Sequence, residues 1–318
     1  MDTIVVGIDV SKDRLDVALR PSGERFAVSR DAAGLDGLVA RLTPLAPAAV
    51  AVEATGGYET VVAASLAAAG LAVVVVNPAQ VRAFAQALGR RAKTDRIDAA
   101  VIAHFVEAAK PEVRALPDAA TRRLADLVAR RRQIIQMIVA ERQRQKRLTE
   151  KRLQKSIARL LAALQKELSS LEADIDEAVR GSSAWREKED LLTSVPGVGK
   201  TIARTLVAEL PELGHIDRRQ AAALVGLAPW TRQSGQWKGK SFIGGGRASV
   251  RAALFVGAMV AARHNPELKA FRDRLVQAGK PKLVALVATA RKLLTILNAV
   301  VRDGRPWREG HAHAAPSS

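Results

Sequence analysis

From Thr121 to Val179 the chain contains neither proline nor glycine, and strong helix formers fill the segment. A stretch that long without a breaker excludes a run of hairpins and demands either one long helix or a helical hairpin. Leu124, Leu127, Ile134, Ile138, Leu148, Ile157, Leu160, Leu164, Leu168, Leu171 and Ile175 recur at spacings of three, four and their sums. That period draws one apolar stripe along a helix, so the segment is expected to have coiled-coil character.

The polar side of this rod carries one sign of charge. Residues 121–160 hold 13 Lys or Arg against 3 acids, a net of +10, which is more than half of the whole-chain net of +18. A solvated face is the simple origin of a charge run, but a strip so one-sided repels itself unless a polyanion neutralises it. Phosphate backbone is the expected partner and an acidic membrane surface the second choice, with Arg130, Arg131 and Arg132 as candidate contacts.

The absence of cysteine from all 318 residues removes disulfide scaffolds, Cys-ligated zinc and cysteine nucleophiles. Five scattered histidines offer no zinc spacing. The apolar stretch Val61 to Val76 is broken by Ser65 and Gly70 and is short for a bilayer crossing. MDTIVVGIDV has no basic segment ahead of its apolar run, unlike a signal peptide. These features predict a cytoplasmic, nucleoid-associated protein without a membrane partner.

Ahead of the rod, strand and helix signals alternate. Ile4 to Val10 is β-branched and nearly continuous, as a strand covered on both faces should be. Leu15 to Leu19 and Arg25 to Val28 read as strands, Leu35 to Leu42 as a helix and Ala48 to Val52 as a strand. Thr60 to Ala69 reads as a helix and Leu71 to Val76 as a strand. The pattern predicts a mixed sheet covered by helices. After Gly181-Ser182-Ser183 the chain is mostly helical, with turns at Pro196, Pro211, Pro229, Gly244 to Gly246 and Pro266.

Four carboxylates stand at informative places. Asp9 ends the first apolar strand in GIDVSK, and Glu53 ends another in VEATGGY. Asp95 and Asp98 in KTDRIDA share one face of a helix, in its first turn if Thr94 caps it. Each has a simpler reading alone, as a cap, a dipole partner, a turn residue or a surface acid. Together they form a set of hard oxygen donors suited to Mg²⁺ or Mn²⁺, and two such ions can clamp an in-line phosphoryl transfer.

Two C-terminal motifs follow. SVPGVGKT reads as the hairpin of a helix-hairpin-helix, with Lys200 at the start of the second helix and glycines that admit a phosphate. It mimics part of a nucleotide-binding loop, but Ser194 stands where that motif needs its first glycine. GLAPWTRQSG then places Ser234 in a polar, basic loop with Arg232 and Lys238, between Trp230 and Trp237. Taken alone, Ser234 is most simply a turn residue. The tryptophans could stack on bases or anchor the loop, and Arg247 and Arg251 could reach phosphates.

GIDVSK, VEATGGY, KTDRIDA, SVPGVGKTIA and GLAPWTRQSG together resemble the DEDD transposases of insertion sequences, a family of bridge-RNA-guided recombinases, over nearly the whole chain. The resemblance implies a ribonuclease H-like domain similar to Holliday-junction resolvases, with Asp9, Glu53, Asp95 and Asp98 as its metal-binding quartet. It also implies that Ser234 is a nucleophile forming a covalent link to DNA; Ser241 and Ser249 are neighbours in sequence. Implied partners are donor and target double-stranded DNA, a structured bridge RNA, and further copies of the chain in a homodimer and homotetramer.

The expected fold class is α/β plus α. A ribonuclease H-like domain spans 1–110, a basic coiled-coil segment 111–185, a helical transposase domain with the helix-hairpin-helix 186–310, and a disordered tail 311–318. Competing readings are a junction nuclease using water, a non-catalytic nucleic-acid scaffold, and an ATPase of the actin-like or sugar-kinase type.

Overall fold

The computed structural model describes residues 3–89, 95–113, 116–231, 233–234, 237–239 and 241–309, with backbone alone at 95–97, 233, 237 and 238. The chain forms two compact units, residues 1–117 and 118–318.

The first unit contains strands β1 (Val5–Val10), β2 (Arg14–Arg20) and β3 (Arg25–Ser29), helix α1 (Ala32–Leu42), β4 (Ala49–Glu53), α2 (Glu59–Ala68), β5 (Val73–Val76), α3 (Pro78–Ala87) and α4 (Asp95–Ala109). The strands order as β3-β2-β1-β4-β5. The first three form an antiparallel meander, whereas β4 and β5 run parallel to β1. A mixed five-stranded sheet of this kind is consistent with a ribonuclease H-like domain.

Period-two alternation splits the strands between two cores. Val6, Ile8, Val10, Val17, Leu19, Val50 and Val52 pack with α1 and α2 through Leu38, Leu42, Val62 and Leu66. On the other face Val5, Ala49, Ala51, Val74 and Val76 pack with Val81 of α3 and Val101, Ile102 and Val106 of α4. Coverage on both faces explains why β1 reads as an unbroken apolar run.

Gly7 lets α4 close on that second face. A Cβ there would lie 2.3 Å from the Ala103 nitrogen and 2.4 Å from the Ala99 oxygen, both backbone atoms of α4. Ala18, Ala99 and Ala103 complete the small-residue seam.

The second unit opens with α5 (Ala119–Gln145) and α6 (Lys151–Gly181), a helical hairpin in place of a single rod. Leu124 and Val128 share a core with Ile175 and Val179, while Ile134 and Ile138 pack with Leu161 and Leu171, so the helices are antiparallel. Between Ile138 and Leu161 no residue of the hairpin is buried, and its tip extends beyond its own core. Then come α7 (Ser183–Thr193), α8 (Lys200–Glu209), α9 (Arg218–Val225), the short strands β6 (Gln233–Ser234) and β7 (Trp237–Lys238), α10 (Ala248–His264), α11 (Pro266–Gln277) and α12 (Lys282–Asp303). The hairpin base belongs to the same core as these helices. By length and composition α12 could cross a membrane, but it packs against α7, α9, α10 and α11, with Leu293, Leu297 and Val300 wholly buried.

The Pro196-Gly197-Val198-Gly199 turn serves packing at its first glycine. Gly197 has φ +104°, and a Cβ on it would lie 2.5 Å from that of Ala261 in α10. Its lack of a side chain thus seats α10, where the sequence pattern had suggested approach to a phosphate. Gly199, the N-cap of α8, has open space around it.

Asp31, Asp118 and Asp217 cap α1, α5 and α9. Backbone N–H groups of Gly34, Thr121 and Gln220, respectively, are the leading cause that holds these carboxyls below the usual range. Their contribution to stability is complete above the unfolded carboxyl value and is lost as pH falls through the lower folded one. We expect Asp217→Ala to lower the thermal midpoint at neutral pH, and that deficit to shrink as pH falls below the ordinary carboxyl range and the depressed Asp217 carboxylate of the folded state takes up its proton. We expect Gly7→Ala to destabilise the first unit by about 1–3 kcal/mol in urea unfolding, because backbone of α4 must move.

Candidate functional site

Strand register brings two of the expected carboxylates to one edge. The β1–β4 pairing ends at Ile8 with Val52, and the next step of the same register sets Asp9 level with Glu53 at the C-terminal ends of parallel strands. Alternation puts both on the face covered by α4, with Gly7 and Ala51 two residues earlier.

The direction of α4 brings in the others. Arg20 stands opposite Val5 at the start of β1, and its Nε donates to Glu107 Oε2 near the end of α4 at 2.6 Å. Ala99, near the beginning of α4, lines a cleft with Asp16, whose register partner is Asp9. The helix therefore runs against β1, and its first turn, with Asp95 and Asp98, lies toward the Asp9 end. Asp98 is half-buried, and the side chain of Asp95 lies outside the described residues. Among the described residues no three carboxylates or histidines are close enough to hold a metal ion as they stand. The donor chemistry and backbone placement fit a hard cation with water completing its shell.

One acid at this edge escaped the motif reading. Asp16 is 5% exposed, faces α4, and receives Arg14 Nε at 3.1 Å and Nη2 at 2.8 Å on its two oxygens. Its signal was the alternation of RLDVALR, which turns Arg14, Asp16, Ala18 and Arg20 to one face.

Ser234 lies in the second unit. Trp230 and Phe242 exchange backbone hydrogen bonds of 2.8 and 3.2 Å, and Ser234 of β6 pairs with Trp237 of β7. Ser234 is exposed, and Trp230 is 60% exposed, a presented ring and not a packed anchor. Arg232 lies outside the described residues, as do the side chains of Trp237 and Lys238. Of the neighbouring serines, Ser241 Oγ is 3.5 Å from Thr231 Oγ1, and Ser249 Oγ donates to Glu209.

The arginines divide into two populations. Arg131 donates from Nε and Nη2 to Glu172 Oε1 at 3.0 and 2.6 Å, tying α5 to α6. Arg132 Nη1 donates to Glu209 Oε1 at 2.5 Å. Arg247 forms a two-pronged pair with Glu212 at 2.5 and 2.6 Å, and Arg251 donates to the carbonyls of Val225 and Gly245 at 3.0 and 2.5 Å. These four hold elements of the unit together, so a phosphate would have to displace a partner already in place. Arg130, bonded to Gln133 at 3.2 Å, and Lys200 are exposed. At the hairpin tip Arg142, Lys146, Arg147, Lys151, Arg152, Lys155 and Arg159 make no ion pair among the described residues, and Arg144 pairs with Glu141.

Residues 6–153 match the DEDD transposase model of the IS110 type, and residues 189–273 match the transposase model of the IS116/IS110/IS902 family. A pilin gene-inverting protein of Moraxella bovis is 30% identical over 260 residues, covering 80% of each chain. The chain belongs to the IS116/IS110/IS902 family of transposases. An uncharacterized 43.6 kDa protein of insertion element IS110 from Streptomyces coelicolor is 30% identical over 156 residues, 47% of this chain and 36% of that one. The transposase is therefore a DNA-recombining enzyme.

The divided arginine population gives a direct test of what each part of the hairpin does. Replacing Arg131 and Arg132 by Gln is expected to lower the thermal midpoint and leave the salt dependence of DNA binding nearly unchanged. Replacing Lys151, Arg152 and Lys155 by Gln is expected to spare the midpoint and reduce the slope of log K against log salt by roughly 2 to 3.

Proposed function

We propose that this transposase cuts and rejoins DNA to move its own insertion sequence, with Asp9, Glu53, Asp95 and Asp98 as the metal-binding quartet and Ser234 as nucleophile. The observation that supports this most is the meeting of Asp9, Glu53 and the first turn of α4 at one sheet edge, in a chain whose family is a transposase family.

The four carboxylates would hold Mg²⁺, or Mn²⁺, which polarises phosphate oxygens and lowers the pKa of bound water. Asp9 and Glu53 sit on rigid strands and Asp98 on a helix pinned by Gly7, so their spacing is set by the fold and not by a mobile loop. Arg14 neutralises Asp16, which keeps a fifth negative charge from acting on Asp9 across the strand pair. The exposure of Ser234 lets its oxygen reach a phosphodiester. In the transfer the Ser234 Oγ–P bond forms and a P–O bond to deoxyribose breaks, with the serine proton ending on the freed deoxyribose oxygen. The link conserves phosphoester energy for rejoining.

The carrier of sequence specificity in this reading is the bridge RNA, which pairs with donor and target DNA. The chain's role is to grip phosphate, chiefly through the hairpin tip, Lys200 at the open N-terminus of α8, Arg130, Arg232 and Lys238. Further copies of the chain belong to this reading, and in a dimer or tetramer the quartet of one copy would work with the serine of another.

Denaturing-gel trapping tests the proposal, using purified protein, Mg²⁺, the element's flanking RNA and labelled donor and target DNA. The expected result is a protein–DNA adduct that is lost in Ser234→Ala and in Asp9→Asn. Cleavage without any adduct would replace it with a water-using junction nuclease. Unchanged activity in Asp9→Asn and Glu53→Gln would reject the quartet.

A further inference from the structure

We infer that Tyr58 and Arg30 form a preorganised platform on which an unpaired DNA nucleotide beside the scissile phosphate stacks. The inference rests on the quartet reading for the position of that phosphate, and on its own observations for the platform.

Tyr58 is the sole tyrosine of the chain and follows Glu53 by five residues, just past the end of β4. It is 44% exposed. The loop that carries it is held open by its own chemistry. Gly56 and Gly57 both have left-handed φ, at +76° and +114°, and a Cβ on either would meet nothing, so glycine is required by conformation and not by packing. Glu59 Oε2 accepts from the backbone N–H of Thr55 at 3.0 Å and of Gly57 at 2.8 Å, locking the turn that presents the ring.

Arg30 comes from a different part of the sheet edge. Its guanidinium carbon lies 4.9 Å from the centre of the Tyr58 ring. Its Nε donates to the Lys12 carbonyl at 2.6 Å and its backbone N–H to the Asp13 carbonyl at 3.0 Å. Arg30 thereby joins the loop after β1, which begins just beyond Asp9, to the loop after β4, which begins just beyond Glu53. The result is a rigid ring and a cation, with exposed Lys12 beside them, at the edge where Asp9 and Glu53 end their strands.

A guanidinium over an aromatic ring is a moderate stabilising contact and by itself would serve as a staple between two loops. A staple has no use for an exposed ring on a turn built from two left-handed glycines. An aromatic face with a neighbouring cation is, however, what a nucleotide needs: the base stacks on the ring without sequence preference, and the phosphate meets Arg30 and Lys12. Unpaired nucleotides fit better than duplex, since a paired base offers its neighbours and not an open face.

The test is photocrosslinking of the full-length transposase, with Ca²⁺ in place of Mg²⁺, to a mixed-sequence single-stranded DNA carrying 5-iododeoxyuridine. The same strand in a duplex is the comparison, and adducts are mapped by mass spectrometry. We expect an adduct at Tyr58, stronger with single strand than with duplex and retained when exposed Trp230 is changed to Leu. Tyr58→Phe should keep affinity for the strand, while Tyr58→Leu, with an unchanged thermal midpoint, should weaken it about ten-fold. Adducts that map only elsewhere, or equal affinity of Tyr58→Leu and Tyr58→Phe, would overturn the platform. A Tyr58 adduct in a protein whose Asp9→Asn variant still cleaves would leave the platform standing and remove the quartet. Loss of cleavage in Asp9→Asn without a Tyr58 adduct would do the reverse.

Discussion

The contact between Gly7 and α4 sets the geometry on which the first unit depends. Backbone nitrogen and oxygen of α4 occupy the space a side chain at Gly7 would take, so helix and strand approach as closely as two backbones can. Because Asp9 is two residues from Gly7 on the same face, and the first turn of α4 is one turn from Ala99, that contact sets the distance between strand carboxylates and helix carboxylates. The parallel pairing of β1 with β4 adds Glu53 by register alone. Carboxylates from two strands and a helix are thus brought to one edge by a small-residue seam.

The second unit solves a different problem, that of carrying a large positive charge on a folded protein. At the hairpin base the charge is absorbed internally: Arg131 and Arg132 meet Glu172 and Glu209, and Arg204 is held by Asp176 and Glu189. At the tip, where nothing is buried and few acids are present, the cations stand in solvent. Part-buried pairs resist screening and are costly to break from one side, whereas exposed cations exchange water or counterions for phosphate at little cost. Paired cations at the base and solvent-exposed cations at the tip are therefore separated along one pair of helices.

Much of the fold was legible because burial leaves a periodic trace. The strands of the first unit appeared as apolar, largely β-branched runs and were recovered to within two residues at their ends, whereas α1 starts three residues before the helix read from Leu35 to Leu42 and α3 was not read as a helix. The breaker-free segment was legible as one long helix or a helical hairpin, but the choice of the hairpin and the place of its turn near Lys146 were not, since that turn contains neither glycine nor proline. Asp9, Glu53, Asp95 and Asp98 were legible as carboxylates at strand ends and in a helical first turn. Asp16 was not, because an acid within an apolar strand shows its meaning only when the register of β2 on β1 sets it opposite Asp9.

Composition and pattern by themselves determined that this chain is basic, that it mixes a covered sheet with long helices, and that it carries carboxylates where apolar strands end. Those properties are local, written in neighbours a few residues apart. Tertiary structure alone decided which of the described arginines are paired with acids, what Gly197 packs against, and that Arg30 and Tyr58 meet. Each depends on residues far apart in sequence: Glu209 lies 77 positions from Arg132, and Ala261 closes on Gly197 from another helix. A cation's availability is a property of its partner, and no pattern in the segment around Arg132 contains the partner.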